Sequence, residues 1–174
     1  MYLSIFFILL AIVVFGTMIR AGMLGAPWVP TFKKTTLAQI NLAQIKPGEI
    51  VYDLGCGDGR WLFNAAKLTQ AKKLVGFEIS VLPYFLAKIR QWFSADRARI
   101  EIRFKNYFHD DLSQADVVYC FGLPEVLNRL ESKLEAELKP GARFVSYVFR
   151  LPHSQPAQVF RFKPAAQASY LYKY

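Results

Sequence analysis

Apolar runs and amphipathic stretches alternate along most of this chain. The amphipathic stretches have helical periodicity, and the apolar runs have the length and the β-branched or aromatic content of strands. Strands are predicted at 49–54, 73–77, 99–104, 116–121 and 143–149, and helices at 60–68, 82–93 and 125–138. This order is typical of a doubly wound α/β sheet with parallel strands. Two further strand candidates, 157–162 and 169–174, flank Pro164.

The first residues differ from the rest because they contain no charge. Tyr2 to Ile19 holds eighteen consecutive uncharged residues, nearly all of them apolar. As a helix this segment would be about 27 Å long, close to the roughly 30 Å of a hydrocarbon core. A cleaved signal peptide would need a basic beginning, and no Lys or Arg precedes Arg20. We therefore expect a transmembrane anchor over residues 1–20.

The position of the basic residues predicts the orientation of this anchor. Arg20, Lys33 and Lys34 follow the apolar segment and none precede it. The positive-inside rule then places the remainder in the cytoplasm, as part of a single-pass protein of the inner, cytoplasmic membrane. Residues 21–48 are expected to be a linker with a short helix at 37–45, and residues 49–174 one folded domain.

The net charge and the cysteine content limit which binding partners and metal sites are expected. The net charge of +9 is compatible with nucleic acid or with an anionic membrane surface, and the apolar N-terminal segment favours the membrane. The chain has two cysteines and two histidines, and no CxxC pair. A structural zinc site is not expected, because such sites need about four Cys or His ligands at close spacing.

A glycine-rich turn follows the first predicted strand of the domain. The segment reads Asp53-Leu54-Gly55-Cys56-Gly57-Asp58-Gly59 and leads directly into a helix. Glycine allows a sharp turn and the close approach of backbone to a ligand. The dinucleotide fingerprint has a third glycine where this chain has Arg60. The alternating glycines resemble motif I of the Rossmann-like, S-adenosylmethionine-dependent methyltransferases.

That resemblance implies a seven-stranded, mostly parallel sheet with a C-terminal antiparallel hairpin, and S-adenosylmethionine as cofactor. It assigns Asp53 to the support of the turn and of the methionine end of the cofactor, although a carboxylate there would also suit helix capping. Gly55, Gly57 and Gly59 would let the backbone approach the cofactor. Glu78, which ends the second strand, would accept hydrogen bonds from the ribose hydroxyls.

The adenine end of the site is predicted less directly. Relatives often have an acid just after the third strand, and Asn106 aligns with it; an amide can both donate and accept there. Asp110 and Asp111 are the alternative candidates. Phe121 ends the fourth strand in Phe121-Gly122-Leu123-Pro124 and is also a candidate cofactor contact. The aromatic side chains of Tyr107, Phe108, Phe121 and Phe149 are candidates for the acceptor pocket, and no residue is assigned as a general base.

Several further segments resemble a narrower group, the membrane-anchored protein-lysine methyltransferases related to the enzymes that modify the ATP synthase c subunit and the adenine nucleotide translocase. The resemblance includes the apolar N-terminus and extends over most of the chain. It rests on Trp28-Val29-Pro30-Thr31, the glycine turn, Gly76-Phe77-Glu78, Asp111-Leu112-Ser113, Phe121-Gly122-Leu123-Pro124, 130–138 and Leu151-Pro152-His153. It implies a protein substrate whose lysine is methylated.

Two other functions stay open at the level of sequence. A small or lipidic membrane substrate fits the same features, and a non-catalytic S-adenosylmethionine-binding module would keep the same fold. Nucleic acid is not an expected partner, because no appended RNA-binding module is visible.

Overall fold

The computed structural model describes residues 2–24, 33–161, 163 and 166–174 and contains a seven-stranded sheet. The strand order is β3-β2-β1-β4-β5-β7-β6. The first five strands are parallel, β7 runs antiparallel to β5, and β6 runs antiparallel to β7. The strands are β1 (Ile50–Leu54), β2 (Lys73–Glu78), β3 (Ile100–Phe104), β4 (Val117–Cys120), β5 (Arg143–Tyr147), β6 (Gln158–Arg161) and β7 (Ala168–Lys173). The predicted Rossmann-like sheet with its C-terminal hairpin is confirmed.

Within the described residues, five α-helices accompany the sheet: α1 (Tyr2–Leu24), α2 (Lys33–Ala43), α3 (Arg60–Leu68), α4 (Val81–Trp92) and α5 (Pro124–Glu137). The bounds of α3 to α5 agree with the sequence prediction to within a residue or so. Helix α2 begins at Lys33 rather than at Leu37 and ends at Ala43. A short 3-10 turn, Tyr107–His109, was not predicted.

Apolar side chains pack on both faces of the sheet. On one face, Val51 and Tyr119 lie in a core with Trp61 and Leu62 of α3. On the other, Leu54 and Phe144 lie in a core with α5, whose Leu127, Leu130 and Leu134 are fully buried. Alternate residues of one strand point to opposite faces, which explains why the central strands are almost entirely apolar.

The strand order places β1 between β2 and β4. Leu54, the last residue of β1, lies beside Phe77 of β2 and Cys120 of β4. From β1 the chain continues through α3 to β2, on one side of β1. From β3 it crosses the sheet to β4, on the other side of β1. A crevice therefore opens at the carboxyl ends of these strands, where α/β sheets bind their ligands.

Helix α1 occupies the segment for which the sequence predicted a membrane span. It packs against the start of α4, where the Val81 backbone N–H donates to Thr17 Oγ1 at 3.2 Å. Within the part of the chain that the structure describes, no helix combines the length and the apolarity needed to cross a bilayer. The predicted transmembrane anchor is therefore not supported. The segment Trp28-Val29-Pro30-Thr31 lies outside the described residues.

Candidate cofactor-binding site

The glycine turn has a backbone that only glycine adopts without strain. Gly55, Gly57 and Gly59 have φ of 83°, 57° and 75°. The N–H groups of Gly55 and Cys56 both donate to Phe77 O, at 2.9 and 2.8 Å. These two bonds fix the turn to the end of β2.

The surroundings of Gly55 and Gly59 differ. A Cβ on Gly59 would lie 2.5 Å from an atom of the Phe63 ring, whereas a Cβ on Gly55 would meet nothing within 4 Å. Gly59 is thus required by packing inside the protein. Gly55 is exposed and faces open space, which leaves its backbone accessible to a ligand.

Asp53 is buried at 2% exposure, and its Oδ2 has no hydrogen-bond partner among the described groups. Burial raises the pKa of Asp53 well above its ordinary value, and Glu78 and Asp58 raise it further. A buried carboxylate of this kind is stabilised by a cationic group with N–H donors. The α-ammonium of an amino-acid ligand has that chemistry, which fits the methionine end predicted for Asp53.

Glu78 holds the turn and the start of α4 together. Its Oε2 accepts from Gly57 N at 2.8 Å, and its Oε1 accepts from Ile79 N at 2.9 Å and Ser80 N at 2.7 Å. A carboxylate has about four acceptor positions, so roughly one stays open for a ribose hydroxyl. The sequence predicted the position of Glu78 at the strand end but not this structural role.

Asn106 lies beside Glu78, because Lys105 N donates to Glu78 O at 3.1 Å across the ends of β3 and β2. Asn106 is half-buried, and its Oδ1 caps the 3-10 turn by accepting from Phe108 N at 3.0 Å. Asn106, the predicted adenine contact, is thus next to Glu78, the predicted ribose contact. The side-chain carbonyl oxygen of Asn106 already accepts a hydrogen bond from the backbone.

Asp111 is not brought to this site. The chain from β3 to β4 crosses from the carboxyl edge of the sheet to the amino edge. Leu112 N donates to Glu137 Oε2 at 2.9 Å. Glu137 is the last residue of α5, after which the chain leads to the start of β5. Asp111 is exposed, and its carboxylate accepts hydrogen bonds from the backbone N–H and the side-chain hydroxyl of Ser113. The structure thus places Asp111 apart from the other predicted site residues, and a contact between Asp111 and the cofactor stays a prediction.

Phe121 directly follows β4 and is half-buried, with its ring centroid 5.1 Å from that of Tyr147 at the end of β5. Two residues earlier, Tyr119 stacks on Trp61 with centroids 4.4 Å apart and planes at 4°. The sequence prediction included Phe121 and missed Trp61, Tyr119 and Tyr147. The alternation along β4 could have indicated Tyr119, since it shares a face with Phe121.

Two unpartnered polar groups lie on the α2 and α3 side of the sheet. Gln39 of α2 is fully buried, and neither amide atom of its side chain has a hydrogen-bond partner among the described groups. Trp61 Nε1 is also buried without one. Helix α2 packs on both α3 and β5. No sequence motif indicated Gln39.

Asp58 connects the glycine turn to α4. It is buried at 6% exposure, and its Oδ2 lies 3.2 Å from Arg60 Nη2 and 3.1 Å from Arg90 Nη2. Arg90 Nη1 also donates to the Asp58 carbonyl at 2.9 Å. The two contacts of Arg90 thus join the turn to a helix residue that lies 32 positions further along the chain.

The two cysteines do not form an activated pair. Both are buried, and burial raises the pKa of each thiol above its ordinary value. A thiol in such surroundings stays protonated and is a poor nucleophile. In the described part of the chain, no group of three His, Cys, Asp or Glu residues is placed to hold a metal ion.

The chain is similar in sequence to known methyltransferases. The sequence profile of the ANTKMT methyltransferase domain matches residues 53–158. A protein-lysine N-methyltransferase of Saccharolobus islandicus (strain REY15A) is 39% identical over 150 residues, which are 85% of this chain and 92% of that protein. The adenine nucleotide translocase lysine N-methyltransferase of Mus musculus is 35% identical over 136 residues, and this chain covers 58% of its length.

Among solved structures, the fold is similar to an RNA methyltransferase from Salinibacter ruber in complex with S-adenosyl-L-homocysteine. The two share 30% identity with a TM-score of 0.78, over 83% of this chain and 93% of that one.

Proposed function

Because this chain belongs to the ANTKMT methyltransferase family, and is therefore an S-adenosylmethionine-dependent methyltransferase, we propose that it methylates the side-chain nitrogen of lysine in a protein. The observation that carries the proposal is the similarity to a protein-lysine N-methyltransferase over 92% of that relative's length. A substrate similar to that of the mouse enzyme is less directly supported, because this chain spans 58% of its length.

The cofactor is S-adenosylmethionine, and the residues at the carboxyl ends of β1 and β2 fit it. Asp53 offers an unpartnered, buried oxygen to a cationic amine, and Gly55 offers an open backbone. Glu78 lies beside them with roughly one acceptor position open. The cofactor supplies a methyl group already activated on a sulfonium, so the task of the protein is alignment and exclusion of water.

A lysine acceptor must lose its proton before its nitrogen can accept a methyl group. Desolvation lowers the pKa of an amine. We propose that Phe121 and Tyr147, at the ends of β4 and β5, form aromatic walls that desolvate the lysine and hold its methylated cation. No general base is assigned; the proton passes to solvent as the lysine enters the pocket, before the amine is fully enclosed.

The purified chain, incubated with methyl-tritiated S-adenosylmethionine and extracts of its host, tests the proposal. Label that is sensitive to protease and maps to lysine by mass spectrometry is the expected result. A Gly55→Ala variant is the control for background labelling. Label that is released only by ribonuclease, or that is extracted into organic solvent, would overturn the lysine assignment.

RNA methylation is a second candidate, for one specific reason. The Salinibacter ruber protein, 30% identical, is described as an RNA methyltransferase, and the charge of +9 would suit a polyanion. The ribonuclease arm of the same experiment distinguishes the two functions. A small or lipidic acceptor is distinguished by the organic extract.

We further propose that the enzyme acts at the cytoplasmic side of a membrane. Large apolar side chains on α1 are exposed, among them Phe6 at 58% and Phe15 at 64%. Arg20 directly follows the uncharged residues 2–19, and Lys33 and Lys34 come further along the sequence. Fractionation of cells that express the full chain tests the location; recovery in the supernatant at low and high salt would contradict it.

A further inference from the structure

The outer side of α4 carries a continuous set of large apolar side chains. Their spacing of three and four residues places them on one side of the helix. We call the set the α4 face: Leu82 (39% exposed), Phe85 (57%), Leu86 (38%), Ile89 (56%), Trp92 (77%) and Phe93 (84%). Single exposed apolar residues are ordinary, but a contiguous patch of this kind marks an interaction surface.

Neighbouring elements extend this surface. The ring of Tyr84 connects α4 to Phe104 at the end of the edge strand β3, with centroids 5.1 Å apart, and Phe104 is 52% exposed. At the other end, the contact of Thr17 with Val81 brings the exposed apolar helix α1 against the start of α4. The apolar area therefore continues from α1 over α4 to the edge of the sheet.

Positive charge borders the α4 face. Lys88, Gln91, Trp92 and Arg97 line a cavity of about 370 Å³. Within the described ranges, neither Lys88 nor Arg97 forms an ion pair with a carboxylate; the Lys88 ammonium donates to Gln91 Oε1 at 2.9 Å. The nearby Asp96 is paired with Arg99. An ammonium and a guanidinium beside an indole provide a site suited to a phosphate group at an apolar boundary.

We propose that the α4 face is a membrane-docking surface, which inserts its apolar side chains into the interface of an anionic bilayer while Lys88 and Arg97 bind lipid phosphates. Aromatic residues with Lys and Arg at the rim are the composition of such interfaces. A second copy of this chain is a poorer occupant, because it would place the same cations and a net charge of +9 against each other. The proposal extends the membrane location proposed above and is independent of the acceptor.

Docking through α4 would position the cofactor site. The inner side of α4 is joined to the glycine turn through Arg90 and Asp58, and Ala87 would lie 3.5 Å from a Cβ on Gly59. The turn is thus separated from the bilayer surface by little more than the roughly 10 Å thickness of a helix. Acceptor lysines close to the membrane surface are then within reach.

Fluorescence of Trp92 tests insertion directly in the full-length protein. Vesicles of phosphatidylcholine and phosphatidylglycerol, with bromine on the acyl chains, should quench part of the tryptophan emission. The experiment uses a Trp28→Phe background, which leaves Trp61 and Trp92 as the tryptophans of the chain. In that background Trp92→Phe should remove the quenched component, since Trp61 is buried in the core. Quenching that is the same in Trp92→Phe would overturn the proposal.

Vesicle flotation tests the phosphate contacts with a matched pair of variants. The double variant Lys88→Gln/Arg97→Gln should weaken binding to anionic vesicles about thirtyfold, roughly fivefold for each cation at the surface. The control, Lys67→Gln/Lys72→Gln, removes the same charge from exposed positions at the end of α3 and beyond, and should have a much smaller effect. Equal losses in the two variants would overturn the proposal.

Two further readouts separate this proposal from its alternatives. Methylation of a soluble acceptor should be unchanged in Lys88→Gln/Arg97→Gln. That result would show that the variant is folded and that its weaker membrane binding is independent of its methyltransferase activity. Sedimentation of the lipid-free protein should show no dimer that Phe93→Ser dissociates. Such a dimer would assign the α4 face to a second copy and overturn the membrane proposal.

Discussion

Glu78 Oε2 accepts a hydrogen bond from the backbone N–H of Gly57 at 2.8 Å, which joins the end of β2 to the middle of the glycine turn. The other oxygen of the same carboxylate accepts from two N–H groups at the start of α4. One buried side chain therefore shapes the turn, fixes a helix and stands beside the predicted ribose position. Binding of the cofactor and integrity of the turn are expected to depend on it together.

Glu78→Gln should weaken cofactor binding by about tenfold to a hundredfold, because a hydrogen bond to a charged group contributes roughly 1.5–3 kcal/mol. The new amide NH₂ would also face backbone N–H donors. Calorimetric titration with S-adenosylmethionine measures the effect. Glu101→Gln on the neighbouring strand β3 is the control, since its side chain is 40% exposed and binds Arg103 and Lys73. An unchanged affinity in Glu78→Gln would contradict the assignment.

Gly55→Ala should lose cofactor affinity at a small cost in stability. The left-handed backbone penalises alanine by about 1–2 kcal/mol, and no side chain obstructs the added methyl group. Gly48→Ala is a matched control, because Gly48 has φ 84° and also nothing within 4 Å. Thermal unfolding should be similar for the two variants, whereas only Gly55→Ala should bind S-adenosylmethionine weakly. Equal affinity in both variants would show that Gly55 does not approach the ligand.

Asp53 should make the ligand-free protein less stable as pH rises. Burial raises the pKa of Asp53 in the folded state, so the folded protein binds the proton more tightly than the unfolded chain does. The free energy of unfolding then falls as pH increases from about 4 towards the raised pKa. Asp53→Asn should remove this decrease and weaken cofactor binding.

Denaturant unfolding of the wild type and Asp53→Asn across this pH range, without and with S-adenosylmethionine, measures both effects. Parallel stability profiles for the two proteins would argue against a buried, unpaired carboxylate at position 53.

Glu131→Gln should release the loop after β5. The buried Glu131 carboxylate accepts from His153 N at 3.1 Å, Ser154 N at 2.6 Å and the His153 ring at 3.0 Å. Burial raises the pKa of Glu131, but the hydrogen bonds from Ser154 and His153 outweigh it and hold the pKa below its ordinary value. This stability is present above the unfolded pKa and is lost as pH falls through the folded one.

The variant should therefore be less stable by about 1.5–3 kcal/mol near neutral pH, with a smaller difference in acid. Urea unfolding at about pH 7 and about pH 3 measures this change. Glu135→Gln, exposed on the same helix, is the control. A loss that is the same at both pH values would show that the charge of Glu131 is not involved.

The sequence alone determined the order, type and approximate bounds of the strands of the domain, as well as the glycine turn. Hydrophobic periodicity and turn chemistry are local, so neighbouring residues already contain them. The same is true of Asp53 and Glu78 at strand ends, because a parallel sheet collects its carboxyl ends at one edge.

Only the tertiary structure decided which candidates meet. Asn106 and Asp111 are five residues apart in a segment that crosses the sheet, so one lies beside Glu78 and the other near the end of α5. The contacts of Arg90 with Asp58 and of Tyr147 with Phe121 join residues that are distant in sequence. The sequence predicted a helix at 82–93, but the exposure of the α4 face was decided by the packing of the described chain on the other side of that helix. Such relationships depend on where elements pack in space, and local patterns do not contain that information.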